Sequence, residues 1–160
     1  MKHLFLIFFF TFLSSKLLSQ NEKVEIKNDE ITIPINTELK INAEEKNGRL
    51  SNFNLMSEST IKEPIDMMAT LEKIEKKEIF SNEIDFKFSE ADFMGSKLII
   101  LTTVQHFTKP IIFKAKIKIK GSNNYTETSI VPKGPNVFSV EQWRDEIESI
   151  KLSNFKYDEK

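Results

Sequence analysis

Cysteine is absent from all 160 residues. Its absence excludes a disulfide framework, a thiolate zinc site, a cysteine nucleophile and a lipid-modified cysteine anchor. Glycine is nearly as scarce. Gly48, Gly95, Gly121 and Gly134 are the whole set, and none sits in a loop that cradles phosphate. Histidine occurs twice, as His3 and His106. No His/His/carboxylate spacing and no Asp-x-Asp-x-Asn-Gly pattern exists, so no metal and no cofactor is expected. The stretch Ser89, Glu90 and Asp92, ending at Gly95, lacks a full calcium ligand set and reads as solvated acids. Charge of one sign is missing too. There are 23 basic and 24 acidic residues, a net charge of −1, which excludes a nucleic-acid binder by bulk charge.

There is a single long hydrophobic run. Met1, Lys2 and His3 precede an apolar stretch over residues 4–13, and Ser14, Ser15, Ser19 and Gln20 follow. The order charged, apolar, small predicts a secretory signal over residues 1–20, cleaved after Ser19 or Gln20. Lys16 interrupts the run too early for a bilayer span, which needs about 20 apolar residues. The expectation is an exported protein, whether periplasmic, cell-surface or secreted, with no membrane span after signal removal. Without Lys2 and Lys16 the balance is 21 basic against 24 acidic residues, a net charge of −3. Residues 21–160 carry no repeat, linker or low-complexity tract and read as one domain. A chain of this size buries about two-thirds of its unfolded surface, so its core alone can hold it together.

Alternation dominates that domain. Ile31, Ile33 and Ile35 alternate with polar positions, as do Leu39, Ile41 and Ala43, then Ile84, Phe86 and Phe88. Period two marks half-buried strands. Pro34 has no N–H to give a ladder, which places its strand at an edge or a bulge. Asn47-Gly48 marks a hairpin. A three-residue loop, Lys46-Asn47-Gly48, sets Ile41 opposite Phe53 and Leu39 opposite Leu55, keeping apolar residues on one face. Leu98-Ile99-Ile100-Leu101 is apolar on both faces and predicts a central strand. Pro64, with Met67, Leu71, Ile74 and Glu78 on one stripe, predicts a short helix over 64–78.

Near the end, Ser139 and Gln142 form a capping box, with Phe138 before them as a staple for Trp143. Val140, Trp143, Ile147 and Ile150 then make an apolar stripe at helical spacing, which predicts a second helix. Ile150, Leu152 and Phe155 return as a last strand. The fold class expected is mainly β: an antiparallel Ig-like β-sandwich with one or two short helices, one near the C-terminus. The segment Tyr125-Thr126-Glu127-Thr128-Ser129 through Pro132, with Glu141-Gln142-Trp143 and residues 150–155, resembles exported bacterial proteins of uncharacterised activity. The resemblance implies a related sandwich and assigns no functional residue.

One surface stands out. Phe113, Ala115, Ile117 and Ile119 point one way, and Lys114, Lys116, Lys118 and Lys120 the other. Four lysines about 7 Å apart along one strand face form a row. A four-residue loop, 121–124, would set Lys118 opposite Glu127. The row reads either as a solubilising outer face or as a contact strip for an anionic glycan or lipid headgroups. Trp143, in its staple and stripe positions, reads as a core residue. His106 is the one candidate base for a hydrolase, and its face depends on the turn at residues 107–110. Glu141, Asp145, Glu146 and Glu148 read as a solvated helix face. Three functions follow: a non-enzymatic envelope module acting through protein or surface contacts, a binding domain for an anionic ligand, or a hydrolase using His106 or a carboxylate pair.

Overall fold

The computed structural model describes residues 23–72 and 80–159. The expected signal, residues 1–20, lies outside them, as does the second half of the 64–78 helix. Eleven strands and one short helix are described: β1 (Glu25–Lys27), β2 (Glu30–Pro34), β3 (Thr37–Lys46), β4 (Arg49–Thr60), β5 (Ile65–Asp66), α1 (Met67–Glu72), β6 (Glu83–Phe93), β7 (Ser96–Gln105), β8 (Ile111–Ile119), β9 (Tyr125–Thr128), β10 (Ser139–Trp143) and β11 (Ile147–Tyr157). The protein is mainly β. Every ladder is antiparallel except the short β5–β6 pair.

The strands follow one hydrogen-bonded path, β1-β2-β11-β4-β3-β6-β7-β10, with β8 on β11 and β9 on β8. This is an open sheet, with β11 joining its two halves. The halves fold over a shared core. Phe86 on β6 and Phe113 on β8 share no ladder, yet their rings meet edge to face at 6.0 Å. Phe155 packs at 4.8 Å from both Phe53 and Phe113. Truncating Phe155 to alanine removes both contacts, a change that costs about 3–5 kcal/mol in a packed core. The alternation read from the sequence sets the inward residues. Ile31, Ile33, Leu39, Ile41, Ile84, Phe86, Phe88, Phe113, Ala115, Ile117, Ile150 and Leu152 are all buried.

The strand containing Leu98 to Leu101 is central, between β6 and β10. Its two faces are both covered. Leu101 joins the main core, while Ile100 packs with Met67 of α1 and Ala91 in a second cluster. Helix α1 starts later than Pro64 suggests. Asp66 caps it, its Oδ1 accepting the Ala69 N–H at 3.0 Å, and Ile65–Asp66 instead add a short parallel strand to β6.

Four expectations are corrected. The C-terminal helix is absent: Ser139–Trp143 is strand β10, paired over five residues with β7. A helix there would leave the β7 edge at Ile99–Thr103 with unpaired backbone groups, and burial makes that cost more than a local capping signal gains. The side chains alternate instead. Val140 joins the Met67 cluster, while Trp143 packs on Phe88 and donates its ring N–H to Thr128 Oγ1 at 2.9 Å.

The Asn47-Gly48 turn has two loop residues, not three. Lys46 pairs with Arg49, and both Asn47 and Gly48 take positive φ, 53° and 75°. The mixing of faces that argues against this turn is repaired by bulges. One between Asn42 and Glu44, with Asn52 at φ 53°, shifts the register so that Leu50 and Phe53 both point inward.

The 121–124 turn is also longer than expected: Lys118 faces Tyr125, and Glu127 faces Lys116. The end of β8 stays engaged with β11, through Ile119 opposite Ile147 and the Lys120 N–H on the Glu146 carbonyl. Finally, β2 is not an outermost strand, since β1 pairs along it. Pro34 ends it, beyond the last β1 pair at Thr32, where no outer partner needs its missing N–H.

Candidate functional site

The lysine row lies on the outer face of β8, between β9 and β11. Lys114, Lys116 and Lys118 stand opposite Ser153, Lys151 and Ser149 on β11. The lower end of the row is neutralised. Lys118 Nζ lies 3.0 Å from Glu148, and Lys120 Nζ lies 3.0 Å from Glu146. The hydrogen bond from Lys118, helped by the Gly121 N–H, holds the Glu148 carboxyl below the usual carboxylate range. The bond to Glu146 raises the Lys120 ammonium. Lys151 is bonded to Glu30 at 2.8 Å and lies 4.8 Å over the Tyr125 ring, whose hydroxyl meets Ser149 at 2.8 Å.

The upper end differs. Among the described residues, Lys114 and Lys116 make no ion pair. Lys116 has Glu127 on one side and Lys151 on the other. Beyond Lys114, the sheet brings up three more cations. Lys46 on β3 stands opposite Arg49 on β4, and Arg49 stands opposite Lys156 on β11. All three are exposed. None makes an ion pair among the described residues. Neighbouring strands lie about 5 Å apart, so these are three adjacent like charges, an arrangement that works against sheet pairing.

The same corner holds a concavity of about 600 Å³, lined by Asn28, Asp29, Lys46, Arg49, Ser51, Ser153 and Asn154 among others. Its origin is a gap in the ladder. Strand β2 pairs with β11 as far as Leu152, and β4 pairs with it at Lys156. Between those points β11 has no ladder partner on that side. Asn154 takes a φ of 54° there, and the bulge turns both Leu152 and Phe155 inward.

Sequence reasoning found Lys114 and Lys116 and missed Lys46, Arg49 and Lys156, because only the strand order makes them neighbours. One signal was available. Leu50-Ser51-Asn52-Phe53 and Leu152-Ser153-Asn154-Phe155 are the same tetrapeptide, each preceded by a basic residue. Each places an asparagine at positive φ, and the two phenylalanine rings meet at 4.8 Å, tilted by 55°. The shared tetrapeptide corrects the expectation that residues 21–160 carry no repeat, and it marks where β4 and β11 meet.

His106 sits elsewhere. The turn at residues 107–110 does not make a hairpin that sets its face, because β7 and β8 share no ladder. Its Nδ1 lies 2.7 Å from Asn136 Oδ1 and its Nε2 lies 3.1 Å from Asp85 Oδ2. Asp85 also attracts Lys40 at 3.4 Å and, through its charge, raises that ammonium. Both ring nitrogens are thus occupied by amide or carboxylate oxygens. The nearby Ser81 donates its backbone N–H to the His106 carbonyl, while its buried hydroxyl has no partner. A nucleophile activated by this ring needs a hydroxyl on a ring nitrogen, and none is placed there.

The acids read as candidate ligands or catalysts are dispersed. Asp92 Oδ1 accepts the Gly95 N–H at 2.9 Å in the β6–β7 turn. Glu141 is bonded to the fully buried Lys133, and also accepts the Val131 N–H at 3.1 Å. This part-buried pair pins the 131–135 segment beside β8, where Lys133 exchanges backbone bonds with Ile111. Among the described residues, no group of three His, Asp or Glu converges to hold a metal ion, and no helix is long and apolar enough to cross a membrane. Comparison with protein-family models, with curated proteins and with solved structures gives no match.

Proposed function

We propose that the protein is an exported, non-enzymatic β-sandwich module that works by contact, and that its basic outer face takes an anionic ligand. The observation that carries this reading is a set of cations at the upper end of the face with no ion pair among the described residues: Lys114, Lys116, Lys156, Arg49 and Lys46. Like charges placed side by side raise the energy of the free protein and are relieved by a bound polyanion. The occupied ring of His106 supports the non-enzymatic part.

The test is binding of the purified protein to an immobilised polyanion, beside a neutral polymer, across a salt series. Retention on the polyanion alone, weakening with salt, is expected. The variant Lys114→Glu/Lys116→Glu/Lys118→Glu should lose it. Equal retention by that variant would sink the reading.

A protein contact is favoured by a different observation. Among the described strands, residues 54–60 of β4 share a ladder with β3 alone, although Glu58 accepts the Val24 N–H at 3.0 Å, and Leu55 and Met56 are exposed there. From Leu50 to Ile61 the sequence has no lysine, arginine or proline, the residues that usually guard an edge. Crosslinking the protein in its own cells tests this. One stoichiometric partner linked through residues 54–60 supports it, and links confined to the basic face count against it.

A further inference from the structure

We propose that the corner concavity between β4 and β11 is a specific site for the acidic group of a saccharide chain, a carboxylate or a sulfate ester, with Arg49 as its anchor. The proposal rests on the anionic-ligand reading and narrows it to one pocket and one ligand chemistry. Three features converge there.

The first is charge. Lys46, Arg49 and Lys156 form a row of three cations across three strands, and none has an acid partner among the described residues. Acids border the corner too: Glu159 Oε1 lies beside Gly48, Asp29 lines the hollow, and three carboxylates are held by hydrogen bonds. Asp29 Oδ1 accepts the Asn52 N–H at 2.9 Å, Glu44 accepts from the Asn52 side chain at 2.7 Å, and Glu45 accepts the Gly48 N–H at 2.7 Å. Arg49 is exposed and free to present its planar fork, which matches a carboxylate or sulfate with two parallel hydrogen bonds.

The second is shape. The interrupted β11 ladder leaves a hollow of about 600 Å³ beside that row. A hollow confines one acidic group, whereas a flat lysine strip only attracts many.

The third is the lining. Asn28, Asn47, Ser51, Ser153 and Asn154 offer amides and hydroxyls of the kind that hydrogen-bond sugar hydroxyls. Large exposed hydrophobic residues occur elsewhere on the domain, and none lines this hollow. A bilayer contact combines basic residues with an inserting apolar face, and a protein contact centres on aromatic anchors. Leu50 and Phe155 reach this hollow, but both are buried in the core, so it presents no exposed apolar face or aromatic anchor, which favours the saccharide.

The test is a titration of isotope-labelled protein, followed by amide NMR, with a uronic-acid oligosaccharide, a neutral oligosaccharide and inorganic phosphate. Saturable shifts at Arg49, Ser51, Ser153 and Asn154 are expected with the acidic oligosaccharide alone. Arg49→Gln should weaken them at least about tenfold, the scale of one lost bidentate ion pair. Because Arg49 is exposed, that variant should keep the rest of the spectrum unchanged. Lys114→Gln should cost no more than about twofold, as a neighbouring charge outside the hollow. Shifts confined to β8 would overturn the pocket and leave the basic face standing. No shift anywhere would overturn both. Equal affinity for inorganic phosphate would overturn the saccharide assignment.

Discussion

Strand β8 carries its lysines at regular spacing, yet its two ends are electrostatically different places. At the lower end, Lys118 and Lys120 meet Glu148 and Glu146, supplied by the turn into β11 and its first residues. At the upper end, Lys114 faces Ser153, and the next cross-strand neighbours are Lys156, Arg49 and Lys46. Along the strand Lys114, Lys116 and Lys118 alternate with the buried Phe113, Ala115 and Ile117, and Ile119 beyond them is exposed. What differs is the register of β11, which delivers acids to one end and bases to the other. The lesson is that a charge row read from sequence says where the charges lie, and its neighbours decide whether they are available.

That contrast can be inverted. Replacing Glu146 and Glu148 with glutamine removes the two acids that meet Lys118 and Lys120 and should make the lower end more basic, like the upper one. Polyanion affinity should rise by about five- to tenfold, with a footprint extended toward residue 120. An unchanged affinity would mean that ion pairing does not decide availability. Conversely, Ser153→Glu places an acid directly opposite Lys114 and should lower affinity by about threefold, while stabilising the sheet by a few tenths of a kcal/mol. Equilibrium unfolding and binding on the same sample check both signs.

A smaller effect comes from acid. Because Lys118 and the Gly121 N–H depress the Glu148 carboxyl, its favourable pairing is present above the ordinary carboxylate range. It is lost as pH falls through the lowered value. The melting temperature of Glu148→Gln should therefore sit slightly below that of the unaltered protein at neutral pH, and the two should converge in strong acid. A gap that widens in acid would contradict the assignment.

Much of the fold was legible, for a local reason. Period-two alternation put Ile31, Ile33, Leu39, Ile41, Phe86, Phe88, Phe113 and Leu152 inward, and each is buried. The errors came where a distant strand outvoted a local signal. Ser139 and Gln142 have the chemistry of a helix cap, but the β7 edge needed a partner. The two-residue turn at Asn47-Gly48 looked wrong for the faces until the Asn52 bulge restored them. In the candidate site, Lys114 and Lys116 were visible as a row, since residues two apart share a face. Arg49 and Lys156 lie more than a hundred positions apart and become neighbours only through the β4–β11 pair. The repeated Leu-Ser-Asn-Phe marked that meeting point.

The most direct measurement is the salt concentration at which the protein elutes from a polyanionic resin, compared for two paired variants. Lys114→Gln/Lys116→Gln removes the unpaired end, and Lys118→Gln/Lys120→Gln the paired end. Early elution of the first variant, with the second close to the unaltered protein, is the predicted result. Equal shifts for both, or a larger shift for the second, would contradict the claim that the unpaired end is the contact surface.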